Sequence, residues 1–491
     1  MQKRIVMIFL LTGTMLVTGC GTKSSVSTVE DKVTAAKTVE SVTKEVTEDH
    51  SNGLDTSDMF TDRDKEIGYD EERSAVITLA DDNSSCASDA VQIEGNTITI
   101  IDEGTYLLSG ELTDGMIIVD AEDKDKVQLV LDGADITSEQ SAAIYVRCAD
   151  KVFITTADGS ENTLTNGGTY TAIDDNNIDA VIFSKDDLTL NGTGTLNIHA
   201  AEGHGVVSKD DLVLTSGTYG ITAQKHGLSG KDSVRIAEGS FHITAGQDGI
   251  HASNTDDTSL GFIYIAGGTF EITASDDGMH ADPALMIEGG TIHVVQSYEG
   301  LEGLSIDITG GDIEVTSEDD GLNAAGGNDS SGTAGRKEDI FAAEEGAYIH
   351  ISGGIFAAAG SSGMAQNFGN SSTQGVMMVT VDAQTAQSLI CLKDSSGNEL
   401  ISWTADTEYT SVIVSCPDIT QGSTYTLTAG NSTQEITMDS LVYGSSGMGG
   451  MGGRPGGGMP GQGKQPGSGA PGLDGQPEDS ERGIPGNDLF V

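Results

Sequence analysis

Apolar residues in the middle of the chain fall into short alternating runs that return at a nearly constant interval. A glycine followed by an apolar residue marks it: Gly205-Val206, Gly227-Leu228, Gly249-Ile250, Gly278-Met279, Gly300-Leu301, Gly321-Leu322 and Gly363-Met364, with steps of 22, 22, 29, 22, 21 and 42 residues. A second signature keeps phase with the first, as in Gly267-Gly268-Thr269-Phe270-Glu271-Ile272, Gly289-Gly290-Thr291-Ile292-His293-Val294 and Gly310-Gly311-Asp312-Ile313-Glu314-Val315. A further alternating run precedes each, such as Phe262-Ile263-Tyr264-Ile265. Each period therefore holds three strands of about four residues, separated by glycine or acidic turns.

Such short strands at this period do not read as hairpins. Between residues 200 and 365 no Asn-Gly pair is present to turn one strand back on the next. One turn of chain per period, stacked in parallel on its neighbour, pairs the backbone and lines the apolar residues into an internal column. The pattern predicts an all-β chain, a parallel β-helix over 75–374. A propeller needs about 40–50 residues per blade and fits the spacing less well. The glycines mark corners that require either positive φ or close approach between coils. The long steps contain insertions, Ser253–Gly261 and Ala325–Gly346, expected to leave the coil as loops. Residues 375–443 lose the period and read as a small β module, suited to covering an open coil edge.

The ends differ from this centre. Lys3 and Arg4 precede an apolar stretch too short to span a membrane permanently, so 1–19 reads as an export signal. It ends Val17-Thr18-Gly19-Cys20, which resembles a bacterial lipobox and implies lipid on the Cys20 sulfur; an ordinary signal peptide with an incidental cysteine is the alternative. The expected location is extracellular, anchored to the cell membrane. Residues 20–74 read as a solvated tether, and 444–491, with six of the eight prolines, as a flexible tail.

Charge sharpens the picture. Lys plus Arg is 24 and Asp plus Glu 76, a net charge of −52. Such a surface has no footprint for nucleic acid, and its natural partners are cations. From Ile236 to Gly335 there are eighteen acids and no Lys or Arg. The residues just before the motif glycines are His226, Asp248, Asp277, Glu299 and Asp320, with Asp276, Tyr298 and Asp319 one place earlier. Stacking would set these about 4.8 Å apart. At that distance two carboxylates repel by roughly 3–4 kcal/mol at an effective dielectric near 20. Either some take up protons or a cation sits among them, and Ca²⁺ accepts many oxygens in tolerant geometry. Candidate calcium ligands are Asp248, Asp276, Asp277, Glu299, Glu302, Asp319 and Asp320. For any single Asp-Gly pair, ordinary turn chemistry is the competing account.

His251 and His280 lie two places past the motif glycine, and Glu302 and Asn323 continue their row. An outward polar ladder, contact with sugar hydroxyls, or zinc held with Glu302 are the open readings. Lys185-Asp186-Asp187, Lys209-Asp210-Asp211 and Lys231-Asp232 recur as well, either as a compensating ion ladder or as a strip meeting uronate carboxylates. Candidate carbohydrate-binding residues are thus Lys209, Lys231, His251, His280, Tyr298 and Asn323. The only tryptophan, Trp403, lies in the terminal module, which leaves Tyr264, Tyr298 and Tyr348 as aromatic candidates on the rungs. Cys391 and Cys416 form a plausible disulfide, Cys86 and Cys148 a weaker one, with free thiols as the alternative.

The segments Gly104-Thr105-Tyr106-Leu107-Leu108-Ser109-Gly110, Leu129-Val130-Leu131-Asp132-Gly133, Phe183-Ser184-Lys185-Asp186-Asp187-Leu188 and Gly321-Leu322-Asn323-Ala324 resemble a family of exported bacterial carbohydrate-binding-domain proteins. The likeness spans about 75–440. It implies a right-handed parallel β-helix similar to pectate lyases, bound calcium, and binding of plant cell-wall polysaccharide such as pectin or cellulose. No lyase activity is implied, and the acidic column contains no basic residue of its own for β-elimination. A monomeric polysaccharide-binding lipoprotein is the expectation, with a calcium-dependent lyase and a non-catalytic adhesin or spacer as alternatives.

Overall fold

Strand pairing follows the sequence period. The computed structural model describes residue 54 and residues 56–324, 347–363 and 365–444, all within one unit, His50–Val491. Among these residues there is no helix, and most strands join one long, mostly parallel sheet. From Ile144–Cys148 to Ile250–Ala252 each strand pairs with the third one following it; where second- and third-stack strands then merge into Met279–Ile287 and Leu301–Ile308 the partner becomes the second, and three stacks run side by side.

The first stack contains Thr195–Ala200, Thr218–Ala223, Ser240–Ala245, Thr269–Ala274, Thr291–Ser297, Asp312–Ser317 and Ile355–Gly360, each parallel to the next. The second carries shorter strands, His204–Ser208, Leu228–Gly230 and Ile250–Ala252, and then the first halves of Met279–Ile287 and Leu301–Ile308. The third carries Lys151–Thr156, Asp187–Gly192, Asp211–Leu214, Ser233–Ile236 and Phe262–Ile265, ending on Tyr348–Ile351. Alternation along each strand puts one set of side chains inside. Tyr219, Phe241 and Phe270 occupy equivalent inward positions and stack with ring centroids 5.2 and 4.8 Å apart.

The motif glycines have a steric cause. A Cβ on Gly300 would lie 2.3 Å from Val315 Cγ1 and 2.4 Å from the Gly321 carbonyl oxygen. Positive φ belongs instead to the second glycine of the other signature: Gly268 at 107°, Gly290 at 100° and Gly311 at 97°. The two glycine families thus meet the two requirements separately.

The period ends at Gly360. Ile355–Gly360 pairs antiparallel with Tyr409–Ser415, which pairs antiparallel with Val376–Gln384. A four-stranded antiparallel sheet, in the order Glu399–Thr404, Leu389–Asp394, Thr424–Ala429, Ser432–Thr437, completes this end. Trp403 is buried within its core, so it offers no stacking face to a sugar.

One expectation is corrected. The tether drawn to residue 74 is already packed by Met59: Met59 joins an apolar cluster with Tyr264 and Met286, and Asp64 is buried. Both this apolar cluster, which includes Phe60 against Tyr264, and polar contacts from the third stack hold the segment. Of the two readings left open for the cysteines, the free thiol holds for all four, Cys86, Cys148, Cys391 and Cys416. Cys391 belongs to the four-stranded sheet, whereas Cys416 follows the strand Tyr409–Ser415 of the long sheet. Cys20, the loop 325–346 and the tail beyond 444 lie outside the described residues.

Candidate acidic and histidine column

The turn between the first and second stacks brings the acids together. Each turn lies between the alanine or serine that ends a first-stack strand and the motif glycine, so equivalent residues of neighbouring rungs meet. Backbone bonds follow this register: the Asp276 N–H donates to the Gln247 carbonyl, Tyr298 to Asp276, and Asp319 to Tyr298.

Four imidazoles form a continuous stack beside these turns. Ring centroids are 4.9 Å apart for His204 and His226, 4.1 Å for His226 and His251, and 5.2 Å for His251 and His280. Asp248, buried at 4 % exposure, meets two of them. Its Oδ2 is 3.0 Å from His226 Nδ1 and 2.8 Å from His251 Nδ1, and its Oδ1 accepts the Asp277 N–H at 3.0 Å. Burial alone would raise the pKa of Asp248. The hydrogen bonds from His226 and His251 outweigh burial and hold the carboxyl far below the usual range. His251 moves down, chiefly because burial disfavours its charged form.

Acids dominate one rung further on. Asp277 Oδ2 lies 3.0 Å from His280 Nδ1, and Glu302 Oε2 lies 3.2 Å from the same nitrogen. Burial opposes protonation of His280, yet Asp277, Asp282 and Glu302 surround it and push it well up. Glu302 is pushed up to about 9, first by burial and then by Asp277 and Glu299, against the lowering effect of His280. Glu299 rises to about 7, mainly through burial, although it accepts a 2.5 Å hydrogen bond from Asn323 Nδ2. Asp320 rises to about 7 through burial, Asp319 and Glu299. It is 2 % exposed, and its Oδ1 is buried with no hydrogen-bond partner. That oxygen lacks the partner a buried carboxylate ordinarily has.

The seven candidate metal ligands thus share one column in overlapping groups. Oxygens of Asp248, Asp276 and Asp277 lie within 4.8 Å of one another, as do the ligand atoms of Asp277, His280 and Glu302. Glu299, Asp319 and Asp320 form the third group, linked by their charges. Of the candidate sugar contacts, Tyr298 is 45 % exposed and donates to Asp319 at 3.2 Å. His251, His280 and Asn323 lie within the column; the two histidines alternate with the core residues Ile250, Ala252, Met279 and Ala281, so they leave the strand on its outer face and form a partly buried polar ladder. Lys209 and Lys231 lie apart from it, at the turn between the second and third stacks. Lys209 Nζ sits 5.4 Å from the Phe183 ring centre, and Lys231 pairs with Asp256 at 2.6 Å.

Three partners escaped the candidate set. His226 stands in the pre-glycine row, a visible signal. Asp282 follows His280 by two residues and lies 3.7 Å from its Nε2. Gln366, whose Nε2 donates to Asn323 Oδ1 at 2.7 Å, arrives from forty-three residues downstream and carries no periodic signal.

The model of the carbohydrate-binding domain-containing family matches residues 94–363, more than half the chain and all of this column. The protein belongs to that family. A relative with the same description from Acetivibrio thermocellus is 38% identical over 137 residues, which is 28% of this chain and 48% of the relative. The match therefore spans about half of that relative's length. A solved structure described as a polysaccharide lyase-like protein from C. thermocellum, a gadolinium derivative, is 34% identical. It covers 51% of this chain and 96% of the other, with a TM-score of 0.43. Membership of the carbohydrate-binding domain-containing family supports a carbohydrate-related function.

Proposed function

We propose that the protein is a cell-surface lipoprotein that binds polysaccharide of the plant cell-wall type, pectin or cellulose, through a calcium-stabilised right-handed parallel β-helix. Third-neighbour parallel pairing in three stacks supports a coil that closes once per period. The observation that carries the metal is the partnerless Asp320 Oδ1 in a row of buried carboxylates. Three of the carboxyls rise to between about 7 and about 9, which marks a set of oxygens without enough positive charge around it. Asp276 and Asp277 with Asp248, and Glu299 with Asp319 and Asp320, offer hard oxygen donors on neighbouring turns, the donor set Ca²⁺ prefers. Bound calcium would supply positive charge to these carboxylates and a bridge to acidic sugars. Tyr298 and Asp276, exposed beside the buried row, are the side chains a glycan would meet.

The reading is one of binding rather than catalysis. The column contains imidazoles but no Lys or Arg of its own, and Lys225, in the same turn row two rungs away, lies 3.4 Å from Asp179. Calorimetry of the full chain in millimolar calcium and in EDTA tests the proposal. Calcium should raise the melting temperature, Asp276→Asn with Asp277→Asn should remove part of the gain, and Asp256→Asn with Asp257→Asn should not. Equal melting in calcium and in EDTA would show these acids to be cation-free turns.

A further inference from the structure

Outside the column, the most unusual polar group is a lysine and an aspartate buried against each other across eighty-six residues of chain. Asp64, 2 % exposed, lies on the segment that crosses the third stack. Lys151, 8 % exposed, opens the strand Lys151–Thr156. Lys151 Nζ is 2.8 Å from Asp64 Oδ1. A second carboxyl stands beside them: Asp187 is the register partner of Lys151 on the neighbouring strand, and its Oδ2 is 3.8 Å from Nζ.

Each component is held in place. The Thr189 hydroxyl donates to Asp64 Oδ1 at 2.6 Å, while Thr61 donates its N–H and hydroxyl to Oδ2 at 2.9 and 2.7 Å. The Asp64 carbonyl accepts from Asn191 Nδ2 at 3.0 Å and from the Thr215 hydroxyl at 2.7 Å. Phe153 walls the site, with the Arg63 guanidinium 4.3 Å and Lys151 Nζ 5.8 Å from its ring centre. A buried ion pair is an expensive arrangement, since each charge loses its hydration. An amide between the same two groups would remove both charges.

We propose that Lys151 and Asp64 condense to an intramolecular isopeptide bond, with Asp187 as the proton shuttle. The pair begins as ammonium and carboxylate. Asp187 takes a proton from Lys151 Nζ, and the freed nitrogen lone pair attacks Asp64 Cγ. Asp187 returns the proton to the departing oxygen, which also takes a second proton from the nitrogen, and the C–O bond breaks with its electron pair leaving on the water. One N–C bond forms, one C–O bond breaks, and one water leaves carrying two protons of the original ammonium; no oxidant or cofactor enters. Nζ already lies within hydrogen-bond distance of the carboxyl it attacks, the positioning that converts a slow encounter into an intramolecular step. The Thr189 and Thr61 donors face the oxygens on which negative charge develops. Asp187 suits a carboxyl that takes and returns a proton: burial, opposed by Lys151 and reinforced by Asp211, shifts it upward. The bond would fasten the chain preceding the coil to the third stack covalently.

Mass spectrometry of the full chain decides the matter. After denaturation and trypsin digestion, the wild type should yield a branched peptide in which Lys151 carries the Asp64 peptide. It should be one water lighter than the two separate peptides and uncut at Lys151. Lys151→Arg keeps the charge pair and should give only unbranched peptides. Asp187→Asn should slow bond formation by about 100-fold, the lower range for loss of a positioned acid–base group. If the wild type is cut at Lys151 and releases an unmodified Asp64 peptide, the pair is an ion pair only and the proposal is wrong. If Asp187→Asn crosslinks as fully as the wild type, the shuttle role fails.

Discussion

Replacing Asp320 by asparagine should change stability with opposite signs at low and high pH. In the folded chain this carboxyl rises from 3.8 to about 7. Between these values the folded state holds a proton that the unfolded state has released, so stability falls as pH rises through that window and levels off above about 7. The full displacement corresponds to about 4 kcal/mol, an upper figure because Glu299 shares the same environment. Asparagine removes that charge and leaves a buried amide costing about 1–2 kcal/mol. In EDTA at pH 8 the variant should therefore be more stable than the wild type by about 2 kcal/mol. For a chain of this size that is about 2 °C per kcal/mol, a rise of about 4 °C. At pH 5, where the wild-type carboxyl is already protonated, the difference should vanish or reverse. Calcium should narrow the difference at pH 8, because at 100 times its dissociation constant it adds about 2.7 kcal/mol per site to the wild type. Differential scanning calorimetry at both pH values, with EDTA and with calcium, reads all of this. A melting difference that is the same at pH 5 and pH 8 would refute the assignment of a buried, partnerless carboxylate.

Other outcomes follow from the same geometry. Gly300→Ala should cost about 1–3 kcal/mol by overpacking against Val315 and the Gly321 carbonyl, read by urea unfolding, and a neutral effect would contradict the close-approach account. Truncation after Tyr443 should leave the melting temperature nearly unchanged; a drop of about 4 °C or more would show that the tail packs on the fold. Cys20→Ala should leave unprocessed precursor and abolish labelling with an alkyne fatty acid, and normal processing would remove the lipobox reading.

The parallel stacking of short strands was legible because its requirement repeats. Twenty-two residues buy one rung, and the glycines before Ile250, Met279 and Leu301 declare where neighbouring turns touch. The acidic row was legible for the same reason, since Asp248, Asp277, Glu299 and Asp320 occupy one repeated position. What the repeat does not encode was missed. The segment around Asp64 docks through isolated side chains, the polar Thr189, Asn191 and Thr215 and the apolar Met59 on Tyr264 and Met286, none of them marked by the repeat. The partial burial of His251 and His280 on the outer face depends on Asp248, Asp277 and Glu302 closing around them, which spacing alone does not encode. Gln366 reaches Asn323 only because the chain returns beyond the last parallel strand of the first stack.

Binding of the full-length protein to polygalacturonate and to cellulose, measured in millimolar calcium and again in EDTA, tests most directly whether the column works as a cation-dependent polysaccharide site. Binding should be present in calcium, should weaken in EDTA for the uronate polymer, and should fall in the Asp276→Asn, Asp277→Asn double variant. Equal binding in calcium and EDTA, unaffected by the double variant, would show that the acidic column takes no part in recognising the glycan.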